Sequence, residues 1–342
     1  MEFTFDLNTI WFILIGLLLT GYAILDGFDL GIGALHLLVK DDVERRIMLN
    51  SIGPVWDGNE VWLVTGGGAL FAAFPHVYAT VFSGFYNAII MLLFMLIFRA
   101  VAIEFRSKRP MKWWRQMWDV AFSIASILIA FLMGVALGNI ITGIPLDANK
   151  EYVGTFWDMI NPYTVLVGIT TISLFMMHGA IYGVLKTEDE LNRKLKGWVN
   201  NTIIFFVICY VTTTMATLIY FPNMAKHFKD FPPLFVLALL NMLAIANIPR
   251  EIHHGREFMA FLSSAASIAS LLALFAVGIF PNIVLSNPNP EFSLTIYNAA
   301  SSQKTLTIML IIAAIGFPFV LAYTISIYWI FRGKVKLTNM SY

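Results

Sequence analysis

GPVWDGNEVWLVTGGGALFAAF, residues 53–74, decides how this chain is folded. The stretch is apolar enough to enter a membrane, yet it carries Asp57 and Glu60 one helical turn apart, flanked by Trp56 and Trp62. Whether it spans determines the number of crossings, and therefore which side each loop occupies. The composition around it is 58% hydrophobic and 13% charged over 342 residues. A soluble protein of this length needs far more polar surface to cover its core. The chain therefore reads as an all-α, polytopic integral membrane protein. Its net charge of +1 leaves no basic stripe for nucleic acid. The single Cys209, in NTIIFFVICYV, excludes disulfides and cysteine-based metal sites within the chain and reads as a small buried hydrophobe. The phosphate-cradling loop G-x-x-x-x-G-K-[ST] is missing, so the chain does not use ATP.

A span needs about 20 residues, with a tolerance of about 17–25. Apolar runs of that order occur at roughly 10–38, 50–74, 78–104, 117–143, 162–185, 198–221, 233–248, 258–281 and 304–331. The second is the least hydrophobic, and a hydropathy scan alone would drop it. Charge placement decides for keeping it. With nine spans, KDDVERR, RSKRPMKWWR, KTEDELNRKLK, PREIHHGRE and RGKVK share one side and hold seventeen of the 22 Lys and Arg. Only Lys150, Lys226, Lys229 and Lys304 face the other side, and Arg99 lies within a span. Without the second span the split worsens to fourteen against seven. The positive-inside rule thus predicts nine spans, with the N-terminus outside and the C-terminus cytoplasmic. The N-terminus MEFTFDLNTI is acidic where a secretory signal is basic, so the first run reads as a retained span.

A weak internal echo supports a repeat. LDGFDLG followed by a charged loop is matched by MMHGAIYG followed by KTEDELNRKLK, four spans later. The pattern predicts two similarly oriented four-helix halves and a peripheral ninth helix, an arrangement common in membrane proteins. The first half covers residues 1–143 and the second 144–281. Residues 282–342 supply the turn-rich outer loop, the ninth helix and the C-terminus.

The ionisable groups concentrate in the first half. Asp26 and Asp29 share one face of span one. At about 1.5 Å per residue, Asp29 lies roughly 13 Å and Asp26 roughly 18 Å from the inner end, with Asp57 roughly 10 Å above it on span two. Span three contributes Arg99 to the inner half and Glu104 and Lys108 to the inner rim. All of these converge on the inner half of the first three spans, while spans four to nine offer no comparable set. Three roles compete: an ion pair that fixes helix packing, a metal site, and a proton or ion path. Asp29 and His36 share a face, but the Glu-x-x-His pairs of carboxylate-bridged metal sites are absent. DGFDLG lacks the ligand spacing of a calcium loop. Ionisable groups at membrane depth are costly and default to function, which favours the proton path. The glycines of TGYAILDGFDLGIG and VTGGGALFAAF read as close-packing positions, with unwound helix as the alternative. Only His178 is well inside a span, so the facing histidine pairs that hold haem between helices are missing. His178 reads as a packed, hydrogen-bonded core residue.

At LDGFDLGIG, ERRIMLNSIGPVWDGNEVWLVTGGGALFAAFP and FSGFYNAIIMLLFMLIFRAVAIEFRSK, the sequence resembles subunit II of the cytochrome bd quinol oxidases. The resemblance is dense over residues 20–118 and thinner through NPYTVL, HGA and SSQKTL. It implies a bacterial plasma-membrane complex that oxidises quinol and reduces dioxygen to water. On that reading the b-type and d-type haems belong to a partner, subunit I, and this chain binds no cofactor by itself and holds no complete active site. Lipids and a small single-helix subunit are the further partners it suggests. It also maps a proton route onto Asp57, Glu104 and Lys108, with Asp29, Asp26 and Arg99 close by; Glu60 is the less certain member, since relatives can carry Gln there. The competing reading is a proton-coupled secondary transporter, which would purify without haem colour.

Overall fold

The computed structural model of the protein describes residues 6–337. The five residues at each end, on which the sidedness of the termini bears, lie outside that range. Twelve α-helices make up most of the chain: α1 Leu7–His36, α2 Asp42–Ile52, α3 Trp56–Ala73, α4 Pro75–Gly84, α5 Tyr86–Phe105, α6 Lys112–Thr142, α7 Pro162–Lys186, α8 Asp189–Tyr220, α9 Lys226–Asp230, α10 Phe235–His253, α11 Glu257–Ile279 and α12 Gln303–Ile330. Several begin where short polar side chains satisfy the free N–H groups of a first turn. Asp6 accepts from the Thr9 N–H at 2.8 Å, and Asp41 accepts from Val43 and Glu44. Asn161 caps α7 ahead of Pro162, whose missing N–H costs nothing there.

Eight helices, α1, α5, α6, α7, α8, α10, α11 and α12, are long and apolar enough to cross a membrane. The chain is a multi-pass membrane protein. α3, with 18 residues, is not among the eight, because Asp57, Asn59, Glu60 and its glycines dilute its apolar content.

Two expected spans are interrupted. A turn at Gly53–Val55 separates α2 from α3: Gly53 keeps helical angles (φ −45°, ψ −42°) and its N–H closes on the Leu49 carbonyl, while Pro54 has no N–H with which to continue the ladder. The run expected at 78–104 is two helices, because α4 stops at Gly84 and Phe85 caps it at φ −90°, ψ 18° before α5 begins.

The centre of the bundle is the α1–α7 pair. α1 packs against α3, α6, α7 and α11, and α7 against α1, α6, α8 and α11. At their crossing the backbones touch. A Cβ on Gly31 would lie 1.9 Å from the Phe175 carbonyl oxygen, and one on Gly179 would lie 2.4 Å from the Gly31 carbonyl carbon. Both helices run unbroken through the contact, so these glycines serve close packing. α12 is buried only at Leu306.

Each end of the bundle has its own core. At the end bearing α2, Phe28, Ile32, Met48, Ile52, Tyr182 and Leu195 are fully or almost fully buried. The opposite end is closed by an antiparallel pair, β1 Asn282–Val284 and β2 Leu294–Thr295, which aligns Asn282 with Thr295 and Val284 with Leu294. The Ile144 N–H donates to Leu285 and the Asn287 N–H to Ile144, which ties the α6–α7 loop into this cap.

Candidate functional site: a buried cluster of carboxylates and arginine

α1 presents Asp26 and Asp29 one turn apart, and both are buried in the bundle. α5 brings Arg99, fully buried, so that its Nη2 donates to Asp26 Oδ1 at 2.7 Å and also to Glu60 of α3. Beside this pair, Asn59 Nδ2 donates to Asp29 Oδ2 at 2.8 Å and to the Leu25 carbonyl at 3.1 Å. The Tyr328 hydroxyl of α12 donates to Asn59 Oδ1 at 2.9 Å. Four helices therefore meet at one polar core. Some of its atoms have no partner among the described residues: Asp26 Oδ2, Asp29 Oδ1, Arg99 Nε and Nη1, and the Tyr22 hydroxyl. Unsatisfied buried polar atoms are rare, and ordered water or a catalytic role is the usual reason for them.

The structure thus joins Asp26, Asp29 and Arg99, and it adds Glu60, Asn59 and Tyr328. It leaves Asp57 outside the buried set. Asp57 is exposed on α3 and has no hydrogen bond or ion pair with any described residue. It sits at one end of a face that continues through the exposed Val61, Val64 and Phe71, at helical spacing. Glu104 is half-buried near the end of α5, and Lys108 is exposed in the following turn.

A second ionisable network joins α6 to groups from α1, α2 and the turn after α5. α6 supplies Asp119, 1% exposed, which accepts from Arg106 Nε at 2.5 Å and from Arg45 at 2.9 Å, and lies 2.6 Å from His36 Nε2. Asp42 then bonds both Arg106 at 2.8 Å and Arg115 at 2.7 Å. This second network binds α1, α2, the end of α5 and α6 at the rim. The available signal was a lone carboxylate, Asp119, a few residues after the basic run 106–115.

His178 is fully buried. Its Nε2 lies 2.9 Å from the Ile24 carbonyl, which can only accept, so that nitrogen carries the proton, and Nδ1 lies 2.7 Å from the Ser264 hydroxyl.

The fold and this cluster define a class: a multi-pass helical membrane protein with ionisable groups held at membrane depth. Comparison with known proteins narrows it. The profile of the family described as cytochrome bd terminal oxidase subunit II matches residues 7–331, and the chain belongs to that family. It is 34% identical to the cytochrome bd-I ubiquinol oxidase subunit 2 of Escherichia coli K12, over 96% of this chain and 95% of that one. It is likewise 34% identical to the cytochrome bd ubiquinol oxidase subunit 2 of Bacillus subtilis 168, over 97% of each chain. Among solved structures, a chain of the bd oxidase from Geobacillus thermodenitrificans shares the fold, with a TM-score of 0.79 over 95% of this chain and 98% of that one, at 15% identity.

Proposed function

We propose that this chain is the haem-free subunit II of a bacterial quinol:dioxygen oxidoreductase, that it stabilises a haem-bearing subunit I, and that it leads protons toward it from the cytoplasmic side. Family membership makes it one subunit of a respiratory quinol oxidase whose complete active site does not lie on this chain. The observation that carries the proton role is Asp57. Asp57 stands in the first turn of α3, at the rim of the span, where it puts a charge at the end of an otherwise apolar outer face that is poorly suited to lipid. A protein partner that covers the face and takes up the charge removes the difficulty, which makes α3 the docking side for subunit I. Glu60, one turn further along α3 and bonded to Arg99, links the exposed Asp57 to the buried Asp26 and Asp29. In this route Glu104 and Lys108 form the entry at the rim, and Asp57 is the main relay.

Haem placement follows from the histidines. Both ring nitrogens of His178 have partners, so it cannot ligate iron without loss of those bonds, and His36 Nε2 is committed to Asp119 at the rim with no second histidine bonded beside it. Family membership supports the reading that the b-type and d-type haems belong to the partner, with quinol the substrate of the complex.

The topology we propose has nine spans, with α3 as the ninth crossing helix. It lies along α1, and its far end is bonded to the cap, where the Ser301 N–H donates to Ala73 at 2.8 Å. Its 18 residues extend about 27 Å at ~1.5 Å per residue, close to the thickness of the hydrocarbon core. α1, α3, α5 and α6 would form one half, α7, α8, α10 and α11 the other, and α12 the outer helix. The N-terminus then faces outside and the C-terminus the cytoplasm of a bacterial plasma membrane. The exposed apolar flank of α12 is free for lipid or a small single-helix subunit.

Asp57→Asn tests the relay, because it keeps the shape and removes the titratable proton. Haem content should stay at the wild-type level while quinol oxidase turnover falls about tenfold, equivalent to about 1.4 kcal/mol on the limiting barrier. Glu104→Gln should cost less, since water at the rim can substitute. Turnover of Asp57→Asn equal to wild type across the pH range would make this carboxylate structural.

A further inference from the structure

A cavity of about 450 Å³ opens between the α2–α3 turn, the end of α7 and the segment that follows α12. Its wall carries Lys186, Arg332, Lys334 and Lys336 and no carboxylate, and its floor includes the hydroxyl-bearing Tyr182 and Tyr328. We propose that this cavity is a binding site for a phosphate-type oxyanion, either the headgroup of an anionic lipid or a free phosphate compound. The proposal goes beyond the oxidase role and does not depend on it.

Three of the four cations are uncompensated. Lys334 bonds Glu257 at 2.5 Å, but Lys186, Arg332 and Lys336 have no ion pair with any described carboxylate. Lys186 is half-buried and satisfied only by carbonyls, those of Phe331 at 2.6 Å and Gly333 at 3.4 Å. Arg332 stacks on Trp329 with its guanidinium 4.0 Å from the ring centroid, which fixes its position while leaving part of its donor fork free. Like charges gathered in a concave wall repel one another and focus potential into the space they enclose. A bound oxyanion relieves that repulsion, and basic pockets between transmembrane helices are a recognised site for lipid headgroups.

The wall is also built rather than incidental. The Val335 N–H donates to the Lys186 carbonyl at 2.9 Å, and Lys334 Nζ donates to the Val184 carbonyl at 3.0 Å, so residues 331–336 are strapped across the end of α7. The preference for Lys and Arg on one side of a membrane explains the number of cations. It does not explain a concave, partly open pocket with an acid-free lining. The volume falls within the range of small-molecule sites, and the apolar Val55 and Ile330 in the lining suit the glycerol and first methylenes of a lipid.

The test uses the purified oxidase complex and the variant Arg332→Gln/Lys336→Gln, which leaves the Lys186 and Lys334 straps intact. Inorganic phosphate is titrated at constant ionic strength against chloride, and thermal stability is followed. In parallel, native mass spectrometry measures retained phosphatidylglycerol after reconstitution in phosphatidylcholine vesicles with and without it. A saturable stabilisation by phosphate that the variant needs at least tenfold more phosphate to reach identifies a free oxyanion as ligand. Retained phosphatidylglycerol that drops at least fivefold in the variant, without a phosphate response, identifies the lipid headgroup. If the double variant fails to assemble, Lys336→Gln alone serves, since Lys336 bonds no described residue and should weaken either response about threefold. Equal responses in wild type and variant in both arms would overturn the site.

Discussion

Arg99 answers to two carboxylates at once, Asp26 and Glu60, and it does so with no exposure to solvent. Removal of one member of a buried ion pair costs about 3–5 kcal/mol, mostly because the other charge is left behind. Arg99→Met should therefore lower the melting temperature and yield of the complex sharply. Arg99→Met combined with Asp26→Asn should recover part of the loss, because no full charge then stays unpaired at Asp26. Melting followed on the haem absorption decides it: a single variant as stable as wild type would show that Arg99 bears no structural burden. The members of this cluster were not equally legible. Asp26, Asp29 and Arg99 stand out in the sequence because charge inside an apolar run is rare and expensive. Asn59 and Tyr328 do not, since neutral polar residues are ordinary in a span, and nothing local announces that residues 269 positions apart will bond. Asp119 carried only a weak signal, a lone carboxylate after a basic run, because its partners come from three other segments of the chain.

The helices were legible wherever an apolar run had punctuation at both ends. α7, bounded by Asn161–Pro162 and Thr187, agrees with its expected range to within a residue. The breaks at Gly53–Val55 and Phe85 were not, because the apolar run continues through both and hydropathy is blind to a change of direction. Pro54 was the one available signal. α3 remains the element on which the topology turns. In a Cys209→Ala background, cysteines placed at Asp41 and His76 flank it, and a membrane-impermeant thiol reagent should label them from opposite sides. Labelling from one side would remove α3 from the spans. At the α1–α7 crossing, Gly31→Ala puts a methyl 1.9 Å from the Phe175 carbonyl oxygen and should abolish assembly or cost more than the 1–3 kcal/mol typical of an overpacked core. Gly67→Ala, with open space around it, should be tolerated. Assembly measured as co-purified haem distinguishes them, and an intact Gly31→Ala complex would refute the close contact.

At the scale of the molecule, the large apolar residues of α5, α8, α10 and α12 are widely exposed, as a membrane chain requires, but the outer face of α3 mixes Asp57 with Val61, Val64 and Phe71. Such a face is suited neither to lipid nor to water. Expressed without its partner, the chain should aggregate in detergent, and size-exclusion chromatography that returned a monodisperse solitary subunit would count against a protein neighbour on that face. The α1–α7 crossing carries one more implication. A transporter works by rocking groups of helices against one another, and a contact that moves in this way needs side chains that slide or re-pack. Here the joint is main chain pressed on main chain at Gly31 and Gly179, deep in the bundle, with no cushion to deform. Such a joint resists rocking of α1 against α7, so the proton route proposed above has to run past a contact that does not re-pack.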